Sequence, residues 1–141
     1  MRTFSAKAAT LLTAVMVTSA GWAILGTGTA VAESRTCDQT AKVEKYGGKA
    51  TVPSSNPWGP EDCTLREGSS GSAVKALQGA LNSCYKAGLS VDGQFGGKTR
   101  AALVDAQRAA GAADDGIFGP NTRDRIKWMF SNDNLIGCRT L

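Results

Sequence analysis

The side chains here that could do chemistry are two carboxylates in matched settings, Asp92 and Asp115, and four cysteines, Cys37, Cys63, Cys84 and Cys138. A carboxylate pair can run glycoside hydrolysis, which requires the two groups a few ångströms apart across a sugar ring. Each Asp, however, opens the same short phrase: Asp92-Gly93-Gln94-Phe95-Gly96-Gly97-Lys98-Thr99-Arg100, and 23 residues on, Asp115-Gly116-Ile117-Phe118-Gly119-Pro120-Asn121-Thr122-Arg123. Identical places argue for identical structural work. Asp bonds its own downstream backbone, and Gly takes the left-handed conformation of a tight turn. Calcium loops fail on the ligand ladder: with Asp92 in fifth place the first, third and twelfth positions are Gly88, Ser90 and Thr99, and for Asp115 the first and twelfth are Gly111 and Thr122. The chain has no histidine, so neither a Ser-His-Asp nor a Cys-His device can be assembled. These residues imply no metal, no cofactor and no enzyme.

The amino end has the build of a secretory signal over residues 1–32. Arg2 and Lys7 supply the positive region, Ala8 to Leu25 an apolar stretch, and Ala30-Val31-Ala32 the small-residue cleavage site, so the mature chain is expected to start at Glu33. A membrane anchor is the rival, but Thr10, Thr13, Thr18, Ser19 and Gly21 dilute the stretch and no stop-transfer charges follow. Removing the signal takes two of the 16 basic residues and none of the 12 acidic ones, which leaves a net charge of +2. That is too mild for a nucleic-acid partner. Four cysteines in a small exported chain read as two disulfides, and a zinc site is disfavoured by the lack of both C-x-x-C spacing and histidine. Sequence alone does not choose among the three pairings. The favoured one is Cys37 with Cys63, closing the amino-terminal segment on itself, and Cys84 with Cys138, tying the first helix to the carboxyl tail.

The elements that position the two phrases follow from period and punctuation. Residues 33–64 are polar and broken by Gly47-Gly48, Pro53, Pro57 and Gly59-Pro60, which reads as an irregular arm with a short strand over Ala50 to Val52 and with Trp58 as its packing anchor. Residues 65–141 form the body. Ser72 is a candidate N-cap, and Val74, Leu77, Leu81 and Cys84 share one face of a helix to about Tyr85. A second helix runs from Gly97 to about Ala110 with Leu103, Ala106 and Ala110 inward, stopped by Gly111. A third is expected from Pro120 to about Asn132, with Ile126, Met129 and Phe130 as its apolar face. Gly96 and Gly119 cap the second and third helices. Phe95 and Phe118 plug the core, and Thr99 and Thr122 bond the first turns. The expected fold is all-α, a small three-helix bundle with a disulfide-stapled irregular amino-terminal arm.

Together, Leu65-x-x-Gly68-x-x-Gly71-x-x-Val74-x-x-Leu77-Gln78-x-x-Leu81-Asn82, Val91-Asp92-Gly93-x-Phe95-Gly96-x-x-Thr99, Gln107 and Asp115-Gly116-x-Phe118-Gly119-Pro120-x-Thr122 closely resemble the three-helix peptidoglycan-binding domain. The resemblance covers about Leu65 to Trp128. It departs at Ala106, where the family usually has an aromatic, and at Ala112, Ala113 and Asp114, where apolar residues are expected. Trp128, Met129 and Phe130 are expected to fill that volume from the third helix. The resemblance implies a module that docks on bacterial cell walls, often as the targeting attachment of a wall hydrolase. On that reading the chain is a secreted, monomeric, non-catalytic binder of peptidoglycan. Its partners would be the wall and a hydrolase or other exported protein, with no nucleic acid, and no membrane after signal cleavage. The ligand-binding candidates are the exposed variable members of the phrases, Gln94, Lys98, Asn121 and Arg123. Two rivals come from other classes: a disulfide-stapled exported protein that binds or inhibits another protein, and a minimal lytic enzyme.

Overall fold

A computed structural model describes residues 35–133 and 136–141, so the signal segment expected at 1–32 lies outside the described residues. The chain order is β1 (Gln39–Lys45), β2 (Gly48–Ser54), α1 (Ser72–Tyr85), α2 (Gly97–Ala109), α3 (Pro120–Arg125), β3 (Trp128–Ser131) and β4 (Ile136–Arg139). The four strands form one antiparallel sheet in the order β1-β2-β3-β4. The all-α expectation is therefore wrong: the protein is mixed, three helices beside a four-stranded sheet.

Two local causes produce the sheet. In the supposed irregular arm, Ala41 and Val43 alternate with the charged Lys42 and Glu44, and Ala50 and Val52 across from them flank the polar Thr51, so one face of a hairpin turns inward. Its turn is Tyr46-Gly47, between the paired Lys45 and Gly48. Both turn residues have positive φ, 55° and 71°, as a two-residue connection matching the strand twist demands. The third helix, expected to reach Asn132, stops at Arg125 after 6 residues. Beyond it Ile126, Trp128 and Phe130 are buried while Lys127 and Ser131 are exposed and Met129 is half-buried, which is a period of two. Ile126, Met129 and Phe130 also satisfy helical spacing, and the two patterns overlap. The indole decides between them. Trp128 Nε1 donates to the Arg123 carbonyl at 2.8 Å, capping the short helix, while its ring meets Phe118 edge-on at 6.0 Å.

α1 packs against β1, β2 and β3 on one side and against α2 on another. One core joins Ala41, Ala50 and Val52 of the hairpin with Val74, Leu77 and Leu81 of α1, Leu103 and Ala106 of α2, and the aromatics Phe95, Phe118, Trp128 and Phe130. Trp128 and Phe130 thus do enter the core that contains Ala106, but from a strand. Ser72 does not cap α1, whose N-cap is Gly71; its hydroxyl instead donates to the Asp38 carbonyl at 3.2 Å. Disulfides join Cys37 to Cys63 and Cys84 to Cys138, the latter fastening the end of α1 to β4.

Candidate functional site: two amide-locked corners and the groove beside the first

Each phrase forms a corner wrapped around one buried glutamine amide. At the first, Gln78 of α1 donates through Nε2 to Asp92 Oδ1 at 3.0 Å, to the Gln94 carbonyl at 3.0 Å and to Thr99 Oγ1 at 3.2 Å, while its Oε1 accepts the Gly93 N–H at 2.9 Å. At the second, Gln107 of α2 donates to Asp115 Oδ1 at 3.0 Å, the Ile117 carbonyl at 2.9 Å and Thr122 Oγ1 at 3.0 Å, and accepts the Gly116 N–H at 2.9 Å. Both aspartates also accept the N–H two residues on, at 2.8 Å each. Both threonine hydroxyls donate back to the carbonyl five residues earlier, at 3.4 Å. Gln78 and Gln107 were legible only as members of the family pattern. That they are the hubs could have been read from an apolar helix face interrupted by a single amide, since a buried amide must find partners for its donors and acceptor.

The corners are seated on the segment before α1. Phe95 exchanges backbone bonds with it, its N–H donating to Ser69 and its carbonyl accepting from Gly68, both at 2.9 Å. Phe118 and Leu65 exchange two more, at 2.8 and 2.9 Å. Both phenylalanine rings are buried. Gly93 and Gly116 have φ of 77° and 73°, and a Cβ at Gly116 would come within 2.8 Å of the Arg100 side chain. Gly96 and Gly119 are the extended N-caps of α2 and α3.

Hydrogen bonds from Gln78 and then from the Gln94 N–H hold the Asp92 carboxyl below the ordinary carboxylate range. A carboxylate with a depressed native pKa stabilises the fold above its unfolded value, and that stabilisation disappears as pH falls through the folded value. We predict that the wild-type protein loses melting temperature below about pH 4 while Asp92→Asn, which keeps an acceptor oxygen, loses less over the same interval. Thermal melts from pH 2 to pH 7 check this; parallel curves would show that Asp92 makes no such contribution.

The four ligand-binding candidates do not converge. Gln94 and Lys98 line one groove at the first corner, of about 320 Å³, together with Gly88, Leu89, Ser90 and Asp92. Lys98, Gly88 and Leu89 are shared with a neighbouring hollow of about 440 Å³ that runs along Tyr85, Ala101, Ala102 and Asp105. The loop that forms the wall is fixed by Asn82, whose side chain bonds both backbone groups of Leu89, at 2.7 and 2.8 Å. The first-turn amides of α2, with no side chain capping them, open at the groove. Asn121 is exposed at the second corner and lines neither hollow. Arg123 is spent internally: its side chain is 12% exposed and bonds Asp124 at 2.8 Å, the Glu61 carbonyl at 3.3 Å and Asp62 at 3.4 Å. Among the described residues no group of three or more His, Cys, Asp or Glu could hold a metal ion. All four cysteines are in disulfides.

Residues 70–126 match the family described as putative peptidoglycan binding domain. The chain is 46% identical over 72 residues to the zinc D-Ala-D-Ala carboxypeptidase of Streptomyces albus G, an alignment covering 50% of this chain and 28% of the relative. It is 44% identical over 67 residues to a probable N-acetylmuramoyl-L-alanine amidase of Bacillus licheniformis, covering 44% of this chain and 18% of the relative. A solved fused Zn-dependent amidase/peptidase/peptidoglycan-binding domain-containing protein from Clostridium acetobutylicum is 37% identical, covers 44% of this chain and 28% of its own, and superposes with a TM-score of 0.42. The chain thus spans well under a third of the length of each of these relatives.

Proposed function

We propose that this protein is an exported, non-catalytic binder of cell-wall peptidoglycan that holds a stem peptide in the groove at the first corner and works beside a separate wall hydrolase. The observation that carries this is the placement of the family match on the segment that builds both corners and the groove. A stem peptide offers carboxylates, amides and small apolar side chains. Lys98 and the first amides of α2 suit the carboxylates, Gln94 and Ser90 suit the amides, and Leu89, Ala101 and Ala102 give the adjoining hollow an apolar wall. Without a histidine or a free thiol among its cysteines, the chain lacks the usual general base and thiol nucleophile of a hydrolase. Two disulfides in so small a body fit an oxidising, extracellular setting.

Incubation with purified sacculi, sedimentation and assay of the suspension's turbidity test the reading. The protein should pellet without clearing the suspension. Lys98→Glu should weaken pelleting by about five-fold or more, with the difference shrinking at high salt because an exposed cation is screened. Clearing would assign the protein to the lytic class, and a protein left in the supernatant would leave a protein partner as the ligand.

A further inference from the structure

Trp58 is 93% exposed, more than any other large apolar side chain among the described residues, so the packing role expected of it is overturned. A single exposed apolar residue is ordinary. The loop that presents this one is not. The buried hydroxyl of Ser54 accepts the Asn56 N–H at 3.0 Å and the Glu61 N–H at 3.2 Å and donates to the Gly59 carbonyl at 2.8 Å, closing residues 54–61 from within. The Glu61 carboxylate accepts Asn56 Nδ2 at 2.9 Å and Ser55 Oγ at 3.0 Å across the loop, and Asn56 Oδ1 accepts the N–H of Trp58 itself at 2.9 Å. Pro57 and Pro60 bracket the ring and remove backbone freedom on either side. The base of the loop is fastened by the Cys37–Cys63 disulfide and by Arg123, which reaches from α3 to Glu61 and Asp62. The chain therefore fixes, on folding, the backbone that presents an exposed indole. Such prior ordering lowers the entropy cost of binding.

We propose that Trp58 is a stacking platform for the pyranose rings of the wall's glycan strand. The C–H-rich face of a sugar ring is apolar and slightly positive, which complements the negative face of the indole. The surroundings favour a sugar over a lipid surface: Glu61 is paired with Arg35 at 3.6 Å and Asp62 with Arg123 at 3.4 Å, so the charges beside the loop balance and leave no cationic cluster to draw it to the anionic headgroups of a bacterial membrane. The site lies outside residues 70–126 and on the side of the body fastened to α3, so it is distinct from the groove at the first corner. It extends the wall-binding reading by assigning the glycan to a different surface from the peptide, and it rests on that reading.

The test uses Trp58→Ala and Trp58→Phe in the whole protein, with three probes: sacculi, chitotetraose as a peptide-free glycan, and vesicles of phosphatidylglycerol and cardiolipin. Wild-type protein should bind chitotetraose with a shift of the indole N–H resonance that Trp58→Phe deletes. Trp58→Ala should pellet with sacculi about ten-fold more weakly at an unchanged melting temperature, and Trp58→Phe should fall between. If wild type and Trp58→Ala pellet equally with sacculi, the stacking role is refuted while wall binding stands; if neither pellets, the wall reading itself falls. A Trp58 resonance that moves with vesicles and not with chitotetraose would overturn the proposal in favour of a membrane contact.

Discussion

Gln78→Ala is expected to lower stability by about 3 kcal/mol or more, because it removes one side chain that makes four hydrogen bonds, leaves a buried Gly93 N–H without its acceptor and takes a donor from Asp92 Oδ1, the Gln94 carbonyl and Thr99 Oγ1. For a body of this size that corresponds to a fall in melting temperature of about 10 °C or more. Gln107→Ala should behave alike, since the same four bonds converge on it. The charge version separates loss of packing from loss of hydrogen bonding. Gln78→Glu is nearly isosteric but replaces the Nε2 donor with an oxygen facing Asp92 Oδ1, which lies at 3.0 Å in the wild type. Two carboxylates at that distance repel, so Gln78→Glu should be destabilised at neutral pH and recover as the solution is acidified to about pH 4. Melting of Gln78→Ala within about 2 °C of the wild type would show that the corner is held by packing alone.

Replacing Cys84 and Cys138 together with serine should cost about 4 kcal/mol, the loop-closure value for the 54-residue separation of that pair. The Cys37–Cys63 pair, 26 residues apart, should cost slightly less, about 3.5 kcal/mol. The two losses should differ in where they act. β4 is a short terminal strand paired on one side to β3, and its other anchors are the Cys84–Cys138 bond and the Tyr46 hydroxyl, which donates to the Thr140 carbonyl at 3.1 Å. Cutting the Cys84–Cys138 bond should therefore raise hydrogen exchange first in β3 and β4, leaving the corner amides protected. Uniform exchange across the chain would show that the bond holds the whole body rather than its carboxyl end.

The first two helices and the corners could be read from the chain, while the end of the third helix and the sheet could not, and particular residues explain why. α1 spans Ser72–Tyr85 and α2 begins at Gly97, as period and punctuation indicate, because long amphipathic stretches with glycine stops carry redundant signals. The hairpin of β1 and β2 was hidden because its inward residues include the small Ala41 and Ala50, and because Tyr46 at a left-handed turn position is not the usual Asn or Gly. The misread third helix failed on an ambiguity of spacing: Ile126, Trp128 and Phe130 repeat at two, while Ile126, Met129 and Phe130 fit a helix. The capping bond from the Trp128 indole is a tertiary fact that no local pattern contains. At the site, Gln94 and Lys98 share a groove, but the sequence could not show that Arg123, equivalent to Arg100 in its phrase, turns inward to Glu61 and Asp62 across more than 60 residues of chain. Long-range partners of a charged residue lie beyond the reach of spacing.

The proposed recognition is at one corner and not the other, because the two corners share their internal bonds and differ in the groove beside them. Backbone amide shifts of isotope-labelled protein titrated with a soluble stem-peptide fragment of the wall resolve this directly. The perturbed amides should cluster at Leu89, Ser90, Gln94 and Gly97 to Thr99, with Asn121 and its neighbours unmoved. Shifts centred on Asn121, or an unchanged spectrum at saturating peptide, would contradict it.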